Sequence, residues 1–493
     1  MASLKSLAKE TAIYGMSSIV GRFLNYLLVP LYTAKLSAES GGYGVITNMY
    51  SYVALLFVIL TYGMETTFFR FSNKPGEDPG RVYSTTLISV GFTSLLFVAL
   101  VLLFLSPIAS AMGYASHPEY VAVMAACVAI DAFQAIPFAY LRHKKKAIKF
   151  ASLKMLFIFL NIGLNLLYFV LLPALYEDYP EAVGCIYSPS IGVGYAFFLN
   201  LACTATITLF FWRELTGFRY VFDRALLRRM LRYSMPILLL GIAGILNQTA
   251  DKILFPFLCT ADNASRELGI YGAASKIAMI MAMITQAFRY AYEPFVFSKS
   301  NDRDSRQTYA IAMKYFIIFT LLAFLAVIAY LDILKHLIAP DYWSGLQVVA
   351  IVMAAEIMMG IYFNLSFWYK LIDQTLWGAL FSGIGCLVLI AVNVIFVPRY
   401  GYIACAWAGC AGYGTAMLLS YFVGQRKYPI AYPLRSIFGY TLLAAAIYTG
   451  FKLLPTMPLL PTTALKTLGL LIFITPLLLS TRKSKKPLKK QQS

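Results

Sequence analysis

The sequence has little charge for its length. Charged residues make up 13% of its 493 residues and hydrophobic residues 60%, whereas soluble domains have about 25% and about 45–50%. So few charges cannot cover a globule of this size with polar surface. The composition therefore excludes a soluble enzyme, a nucleic-acid-binding module and a disordered scaffold, the last also because Phe and Tyr number 36 and 35.

Motifs for metals and nucleotides are missing as well. The seven Cys include no CxxC pair, the three His are scattered, and no GxxxxGK[ST] loop is present to bind ATP phosphates. The connections between apolar segments are too short for a soluble catalytic domain, and the external loop near 173–189 contains no Arg, Lys or His. We therefore expect that the protein has no cofactor and no enzymatic activity. A membrane-embedded glycan polymerase or ligase is disfavoured.

Long apolar segments are what the sequence has in abundance. A bilayer span needs roughly 20 apolar residues. About fourteen segments meet this length. They lie near 11–34, 43–69, 82–106, 118–141, 150–173, 191–213, 233–259, 270–297, 308–331, 343–370, 375–397, 401–424, 435–454 and 463–481.

The net charge of +19 sorts by side of the membrane. With the N-terminus in the cytoplasm, the cytoplasmic connections and tails contain about 29 Lys and Arg, and the opposite side about 6. This asymmetry predicts that both termini are cytoplasmic. It also explains the positive charge without nucleic acid.

An internal repeat divides the chain. Residues 15–30 align without gaps on 241–256, with Pro30 on Pro256, and a Tyr-Gly pair at 43–44 recurs at 271–272. A Tyr-x-x-Glu pattern then ends both following spans, at Glu65 and Glu293. The repeat predicts an all-α polytopic membrane protein of about 14 transmembrane helices. Two six-helix lobes would be related by a pseudo-twofold axis along the membrane normal, with two extra C-terminal helices.

The predicted organisation has five segments. A cytoplasmic amphipathic linker helix joins the two lobes, and a basic tail follows the extra helices. The segments are 1–213 for the N-terminal lobe, 214–232 for the linker, 233–427 for the C-terminal lobe, 428–481 for the two extra helices and 482–493 for the cytoplasmic tail.

Charged and amide side chains inside the spans are the candidate functional residues. A charge near the bilayer centre costs about 2.5–3.5 kcal/mol, so such residues face a bundle interior or a water-filled cavity. The embedded cations considered for the cavity are Arg22, Lys252 and Arg289. The polar or coupling candidates are Asn25, Glu65, Asp131, Asn161, Asn165, Asp251 and Glu293.

Structural roles compete with functional ones for several of these residues. Arg289 and Glu293 are four residues apart and can pair within one helix. Glu65 and Glu293 lie near span ends, where a cap or an interlobe contact is the alternative. Asp251 can pair with a neighbouring helix. Arg22 has no acid three or four residues away, which favours a cavity position.

Two segments resemble the eighth span of bacterial oligosaccharide flippases: LGIYGAASK at 268–276 and AFRYAYEPF at 287–295. The likeness extends over nearly the whole chain, and the order of the motifs matters more than any one of them. The other matching segments are 21–22 followed by 30–32, 41–44, 63–70, 250–252 and 401–406. The family is the O-antigen or polysaccharide repeat-unit flippases of the multidrug/oligosaccharidyl-lipid/polysaccharide exporter superfamily.

This resemblance implies a V-shaped, two-lobed flippase for undecaprenyl-diphosphate-linked oligosaccharide units in a bacterial cytoplasmic membrane. It would act in lipopolysaccharide, O-antigen or other surface polysaccharide biosynthesis. Arg22, Lys252 and Arg289 would then meet the diphosphate. The implied partners are the lipid-linked oligosaccharide, membrane lipids and a polysaccharide polymerase or assembly machinery, without nucleic acid.

Two alternatives stay open at this point. An ion-coupled multidrug or cation antiporter of the same superfamily is supported by Asp131 and opposed by Arg22. A lipid II flippase differs only in the group attached to the lipid. The coupling ion, H+ or Na+, is not indicated by any pattern in the sequence.

Overall fold

The protein is all-helical in the computed structural model, which describes residues 26–298, 305–372, 374–454 and 458–484. Within these ranges, twelve helical segments are long and apolar enough to cross a membrane, and Gly194–Leu209 is a shorter apolar helix. The predicted span at 11–34 lies mostly outside the described residues. The structure therefore confirms the prediction of an all-α, multi-pass membrane protein.

Eleven helices precede residue 217 in the described part of the chain. They are α1 (Leu28–Lys35), α2 (Gly42–Thr61), α3 (Met64–Ser72), α4 (Pro79–Leu103), α5 (Leu105–Ala111), α6 (Pro118–His143), α7 (Ala147–Leu166), α8 (Leu172–Asp178), α9 (Pro180–Val183), α10 (Gly194–Leu209) and α11 (Trp212–Thr216). A π-helical turn, Leu167–Leu171, joins α7 to α8.

Ten further helices follow in the described residues. They are α12 (Arg224–Leu258), α13 (Ala264–Ser298), α14 (Ser305–Ala329), α15 (Leu331–Leu334), α16 (Val349–Leu365), α17 (Phe367–Leu371), α18 (Leu376–Tyr400), α19 (Tyr402–Lys427), α20 (Leu434–Leu453) and α21 (Leu459–Ser484).

The basic segment expected to form a separate linker helix is largely the beginning of a span. Helix α12 runs without a break for 35 residues. Asp223 begins it, because its carboxylate accepts a hydrogen bond from the Leu226 amide at 2.9 Å. Leu226 and Met230 are fully buried and attach these first turns to the apolar core. Two apolar residues of this segment are therefore buried, and the helix continues through residue 232.

The two repeats differ where the Tyr-x-x-Glu patterns lie. In the first repeat Gly63 has a left-handed backbone with φ of 71°, and it separates α2 from α3. In the second repeat Ala291 occupies the aligned position and α13 continues through it. A residue with a Cβ atom avoids the left-handed conformation that glycine adopts freely. Glycine at this position favours the break in the first repeat, where Tyr62 is left-handed as well, and alanine favours the continuous helix of the second.

Contacts among the described residues group into two compact units. Unit 1 comprises the described residues up to Ala273 together with Leu389–Cys405, and unit 2 comprises Ala274–Val388 and the described residues from Ala406 onward. These units are defined by contacts. The lobe boundaries at 213 and 233 come from the repeat, and they stay a prediction.

Aromatic packing forms the core of unit 1 at the ends of α3, α4 and α6. The rings of Tyr83 and Tyr140 stack with centroids 4.1 Å apart. Phe68 and Tyr83 are fully buried, and the Tyr83 hydroxyl donates to the Glu214 carbonyl at 3.0 Å. Burial of each large aromatic ring contributes strongly to stability. This core holds the α3 and α6 ends at which Glu65 and Arg142 lie.

Repeat-related helices cross closely within unit 1. Gly44 of α2 and Gly272 of α13 are equivalent residues in the repeat. A Cβ atom at Gly44 would overlap the Ser265 carbonyl oxygen, and one at Gly272 would overlap the Thr47 side chain. Each glycine therefore allows the backbone or side chain of the other helix to approach. Both glycines therefore lie where α2 and α13 approach closely.

In unit 2, α14 packs against α16, α20 and α21. The last helix is fixed by polar contacts near its beginning. Lys466 of α21 donates to Asp332 at 2.8 Å, and the hydroxyls of Tyr330 and Thr467 lie 3.0 Å apart. These contacts attach the last of the two extra C-terminal helices to unit 2.

Candidate functional site

The structure does not describe every candidate. Arg22 and Asn25 lie outside the described residues. Glu293 lies in the described helix α13, but its side chain is outside the described part of the chain. Their roles stay predictions from sequence. The remaining candidates fall into separate local groups, most of them in unit 1.

A polar cavity of about 370 Å³ lies in unit 1 between α3, α6 and α7, and we call it the unit 1 cavity. Its charged lining residues are Glu65, Asp131, Arg142 and Lys154, and the others are Phe57, Gln134, Ala135, Phe138, Phe150, Phe157 and Ile207. Two predicted candidates, Glu65 and Asp131, thus share one cavity. Lys154, which is not among the candidates predicted from the sequence, lines it as well.

The periodicity of α6 places several of these groups together. Asp131, Phe138 and Arg142 are separated by seven and four residues, so they lie on one face of the helix. Charge counting places Arg142 among the cytoplasmic loop cations because it follows the last apolar residue of its span. The i, i+7, i+11 spacing from Asp131 is the signal that could have placed it in the cavity.

Glu65 and Arg142 form an ion pair across α3 and α6. Both side chains are half-buried, with 39% and 31% of their surface exposed. The Arg142 Nε atom is buried and has no hydrogen-bond partner in the described part of the chain. Arg142 therefore keeps a donor in addition to those that face Glu65.

Asp131 and Lys154 line the same cavity without a direct ion pair among the described residues. The Asp131 carboxylate accepts a hydrogen bond from the Thr204 hydroxyl at 3.3 Å. The Lys154 ammonium lies 4.0 Å from the centre of the Phe138 ring, a cation–π contact. A cation held over an aromatic face retains donors for a further ligand. Lys154 is therefore the cavity cation with the fewest charged partners.

Gln134 completes the polar wall next to Asp131. Its amide nitrogen donates to the Thr204 carbonyl at 2.7 Å and to the Thr208 hydroxyl at 2.8 Å. These bonds connect α6 to α10. Thr204, which sequence reasoning did not identify, contacts both Asp131 and Gln134 and so orients the carboxylate.

Lys252 and Asp251 neutralise one another on α12. The Lys252 ammonium donates to both Asp251 carboxylate oxygens, at 3.0 and 2.8 Å. The Tyr271 hydroxyl donates to Asp251 at 2.7 Å, and the Lys252 ammonium lies 5.3 Å from the Tyr271 ring centre. The predicted cavity cation Lys252 therefore has a local anion, and the alternative interpretation of Asp251 as a pairing residue gains support from this geometry.

Asn161 and Asn165 form a buried network with Tyr32. The Tyr32 hydroxyl donates to the Asn165 amide oxygen at 2.8 Å. The Asn165 amide nitrogen donates to the carbonyl and side-chain oxygens of Asn161 at 2.8 and 3.0 Å. Asn165 is fully buried. The network joins α1 to α7, and neither asparagine lines the unit 1 cavity.

Arg289 is the candidate in unit 2 whose side chain is described. Its guanidinium lies 4.9 Å from the centre of the Phe363 ring on α16. Planar guanidinium groups stack on aromatic faces and still present donors at their edges. Within the described residues, no three His, Cys, Asp or Glu side chains are grouped so that they could hold a metal ion.

Comparisons with known proteins agree with this architecture. The model of a family described as polysaccharide biosynthesis protein matches residues 7–294. No curated protein matches the chain by sequence.

Solved transporter structures share the fold. A lipid II flippase, MurJ, in an inward closed conformation is similar with a TM-score of 0.71 at 16% identity, covering 94% of this chain and 98% of that one. A multidrug resistance MATE family transporter of the MOP superfamily, facing inward, has a TM-score of 0.65 at 16% identity, covering 82% and 93%. The MATE multidrug transporter DinF-BH has a TM-score of 0.58 at 16% identity, covering 87% and 96%. At this identity the similarity concerns the fold.

Proposed function

We propose that this chain, which belongs to the family described as polysaccharide biosynthesis protein and has a fold similar to that of a flippase and of multidrug transporters, translocates a lipid-linked oligosaccharide. The substrate class is an undecaprenyl-diphosphate-linked repeat unit, used for surface polysaccharide such as O-antigen. The mechanism is alternating access without chemical change to the substrate. The family match over residues 7–294 is the observation on which this proposal depends.

The membrane and orientation are part of the same proposal. We place the chain in a bacterial cytoplasmic membrane with both termini in the cytoplasm, because about 29 Lys and Arg lie on one side and about 6 on the other. A polymerase or other assembly machinery would receive the translocated unit.

The charged lining of the unit 1 cavity favours the binding of an anionic head group. A diphosphate that leaves water needs cationic donors, and Lys and Arg supply charge-assisted hydrogen bonds to phosphate. No carboxylate of the described residues lies within ion-pair distance of Lys154, and Arg142 keeps a buried donor at Nε. We therefore add Lys154 and Arg142 to Arg22 and Arg289 as candidate diphosphate contacts. Lys252 becomes a weaker candidate because Asp251 neutralises it.

Asp131 supports a coupling role in the same cavity. Its carboxylate faces Lys154 across the cavity and is held by a hydroxyl rather than by a cation. A carboxylate in this setting can exchange a proton or a small cation when the anionic substrate enters or leaves. We propose that transport is coupled to H+ or Na+ binding at Asp131. Glu65 then has a structural role in its ion pair with Arg142.

Two neighbouring functions have specific observations in their favour. A cation antiporter is favoured by the Asp131 carboxylate and by the likeness to MATE folds. A lipid II flippase is favoured by the likeness to the MurJ fold over 94% of the chain. Both would use the same helices with a different group in the cavity.

Complementation distinguishes these functions. The wild-type chain is expressed in strains that lack their own oligosaccharide flippase, and surface polysaccharide is measured by gel and by labelled sugar. Restoration supports the proposal. Export of a cationic dye without restored polysaccharide would establish the antiporter, and rescue of a strain depleted of its lipid II flippase would establish that function.

The cavity is tested in the same strains. Lys154→Gln is expected to reduce surface polysaccharide at least tenfold at equal membrane abundance, and Lys154→Arg to retain most activity because it keeps the charge. Lys144→Gln removes an exposed cation directly after the end of α6 and serves as the matched control. Equal activity of Lys154→Gln and Lys144→Gln would remove the cavity from the proposal.

A further inference from the structure

An apolar groove of about 660 Å³ lies in unit 2 among α14, α16, α19 and α20, away from the residues assigned above. We call it the α20 groove. The residues that line it are Met313, Ile317, Ile361, Leu365, Met417, Leu418, Tyr421, Phe422, Tyr432, Leu434, Arg435, Ile437, Phe438 and Thr441. Its volume falls within the range of about 300–1,000 Å³ that is usual for ligand sites.

The α20 groove is open to the surroundings of the helix bundle. Leu418, Phe422 and Phe438 are half or more exposed, at 50%, 62% and 64%. Along α20 the groove extends from Leu434 to Thr441, which corresponds to about 10 Å at about 1.5 Å per residue. In a membrane this opening faces lipid, and the groove runs parallel to the acyl chains of the surrounding lipids.

One end of the groove is cationic. Arg435 is the only charged residue among the described residues that line it. Arg306 lies two turns before Met313 on the same face of α14. Its guanidinium donates to the Pro429 carbonyl at 3.4 Å and lies 4.4 Å from the Tyr428 ring centre. The loop that precedes Arg435 is therefore bordered by a second arginine.

The depth of this end follows from the distribution of charge. The adjoining end of α19 contains Arg426 and Lys427, and the charge asymmetry places these residues in the cytoplasm. Arg435 then lies at the level of the cytoplasmic head groups, and Thr441 lies about two turns deeper, among the acyl chains. An apolar groove below a guanidinium matches an amphiphile with an anionic head.

We propose that the α20 groove binds an anionic glycerophospholipid, with one acyl chain in the groove and its phosphate against Arg435. Arginine recognises phosphate through paired donors, and basic pockets between transmembrane helices at the cytoplasmic side select anionic lipid head groups. A zwitterionic lipid offers the same chain but adds a cation beside Arg435. The site is independent of the substrate that the protein transports.

The test is a lipid titration of the purified full-length chain in neutral detergent, read by native mass spectrometry. Phosphatidylglycerol and phosphatidylcholine with identical acyl chains are compared. The first phosphatidylglycerol is expected to bind about tenfold more tightly than phosphatidylcholine, a difference typical of one hydrogen bond to a charged group. Arg435→Gln is expected to abolish this preference and to leave phosphatidylcholine binding unchanged.

Two further variants locate the site. Lys452→Gln removes a cation at the opposite end of α20 and should leave the preference intact. Leu418→Trp fills the groove from its exposed side and should weaken the first binding of both lipids severalfold. Equal affinity of the two lipids, equal effects of Arg435→Gln and Lys452→Gln, or no effect of Leu418→Trp would each overturn the proposal.

A competing occupant is tested in the same titration. Undecaprenyl phosphate has an anionic head and an isoprenoid chain. If it binds in an Arg435-dependent manner while phosphatidylglycerol does not, the groove holds the carrier lipid instead and the proposal is wrong. This outcome would leave the proposed flippase function intact, so the two failures are distinguishable.

Discussion

Gly44 of α2 lies directly against the Ser265 carbonyl oxygen at the beginning of α13, with no space for a methyl group between them. The equivalent glycine of the second repeat, Gly272, lies against Thr47 of α2. Small residues allow membrane helices to approach to backbone contact. This crossing is one of the places at which the two repeats touch within unit 1, and its spacing limits how closely the beginnings of α2 and α13 can pack.

Gly44→Ala is expected to destabilise the protein by about 1–3 kcal/mol, because the added methyl group must force α2 and α13 apart. The measurement is the midpoint of thermal unfolding in detergent, together with complementation at equal abundance. Gly163→Ala is the matched control, since no atom lies within 4 Å of a Cβ at that position. That control should be neutral or slightly stabilising. Equal behaviour of the two variants would show that the helices separate freely.

Glu214→Gln is expected to destabilise unit 1 by about 2–3 kcal/mol, which is below the usual cost of breaking a buried pair because Lys149 is partly exposed. The Glu214 side chain is 2% exposed and accepts from the Lys149 ammonium at 2.5 Å, with Lys146 at 3.7 Å. Thermal unfolding at low and high salt provides the measurement. Glu177→Gln, at an exposed acid of α8, should change little, and a similar loss there would argue against a specific role for Glu214.

Asp251 and Lys252 are tested by a double-mutant cycle. Asp251→Asn and Lys252→Gln should each lower stability, and the double variant should lose less than the sum, because each single change leaves the remaining partner without its opposite charge. Unfolding midpoints of all four proteins give the interaction energy. If Lys252→Gln instead abolishes complementation while stability and Asp251 variants are normal, Lys252 contacts the substrate after all.

The cap of α12 is expected to weaken in acid. The Leu226 amide and the Arg81 guanidinium hold the pKa of the Asp223 carboxyl below its usual value. Because the pKa is lower in the folded state, the ionised Asp223 carboxylate stabilises the folded protein at pH values above its ordinary pKa of about 3.9. This stabilisation is lost as the pH falls through the folded-state pKa. The difference in unfolding midpoint between wild type and Asp223→Ala should therefore be full at pH 7 and shrink toward pH 3.

Asp223→Asn is the control for that experiment. Asparagine also caps helices but does not titrate, so its difference from Asp223→Ala should be independent of pH. If the difference in unfolding midpoint between wild type and Asp223→Ala stays constant between pH 7 and pH 3, the carboxylate charge contributes nothing to the cap.

Hydropathy and charge predict the all-helical, multi-pass fold, because spans are defined by length and composition. They could not predict the continuity of α12, since the basic segment at Arg224 is too polar to be counted as membrane. They also missed the break at Gly63, where a backbone conformation and not the apolar pattern ends the helix. The repeat predicted the equivalence of Gly44 and Gly272 but not that the two glycines meet at a crossing.

The candidate site was predicted in part. Asp131 and Glu65 were recognised as embedded acids, and they share the unit 1 cavity. Charge counting does not identify Arg142 as a cavity residue, because it assigns cations at span ends to the loops. The Asp251–Lys252 pair could not be predicted, since neighbouring side chains on a helix normally diverge, and here Tyr271 of another helix holds the carboxylate in reach.

The ion pair between Lys466 and Asp332 also has a consequence for biosynthesis. Ribosomes deliver the helices in order, so Asp332 enters the membrane long before the segment that contains Lys466. Lys466 is 9% exposed, and its charge is neutralised only when α21 docks beside α15. Insertion of the final helix is therefore coupled to assembly of unit 2, and quality-control proteases would meet an unneutralised lysine in any nascent chain whose last segment has not docked.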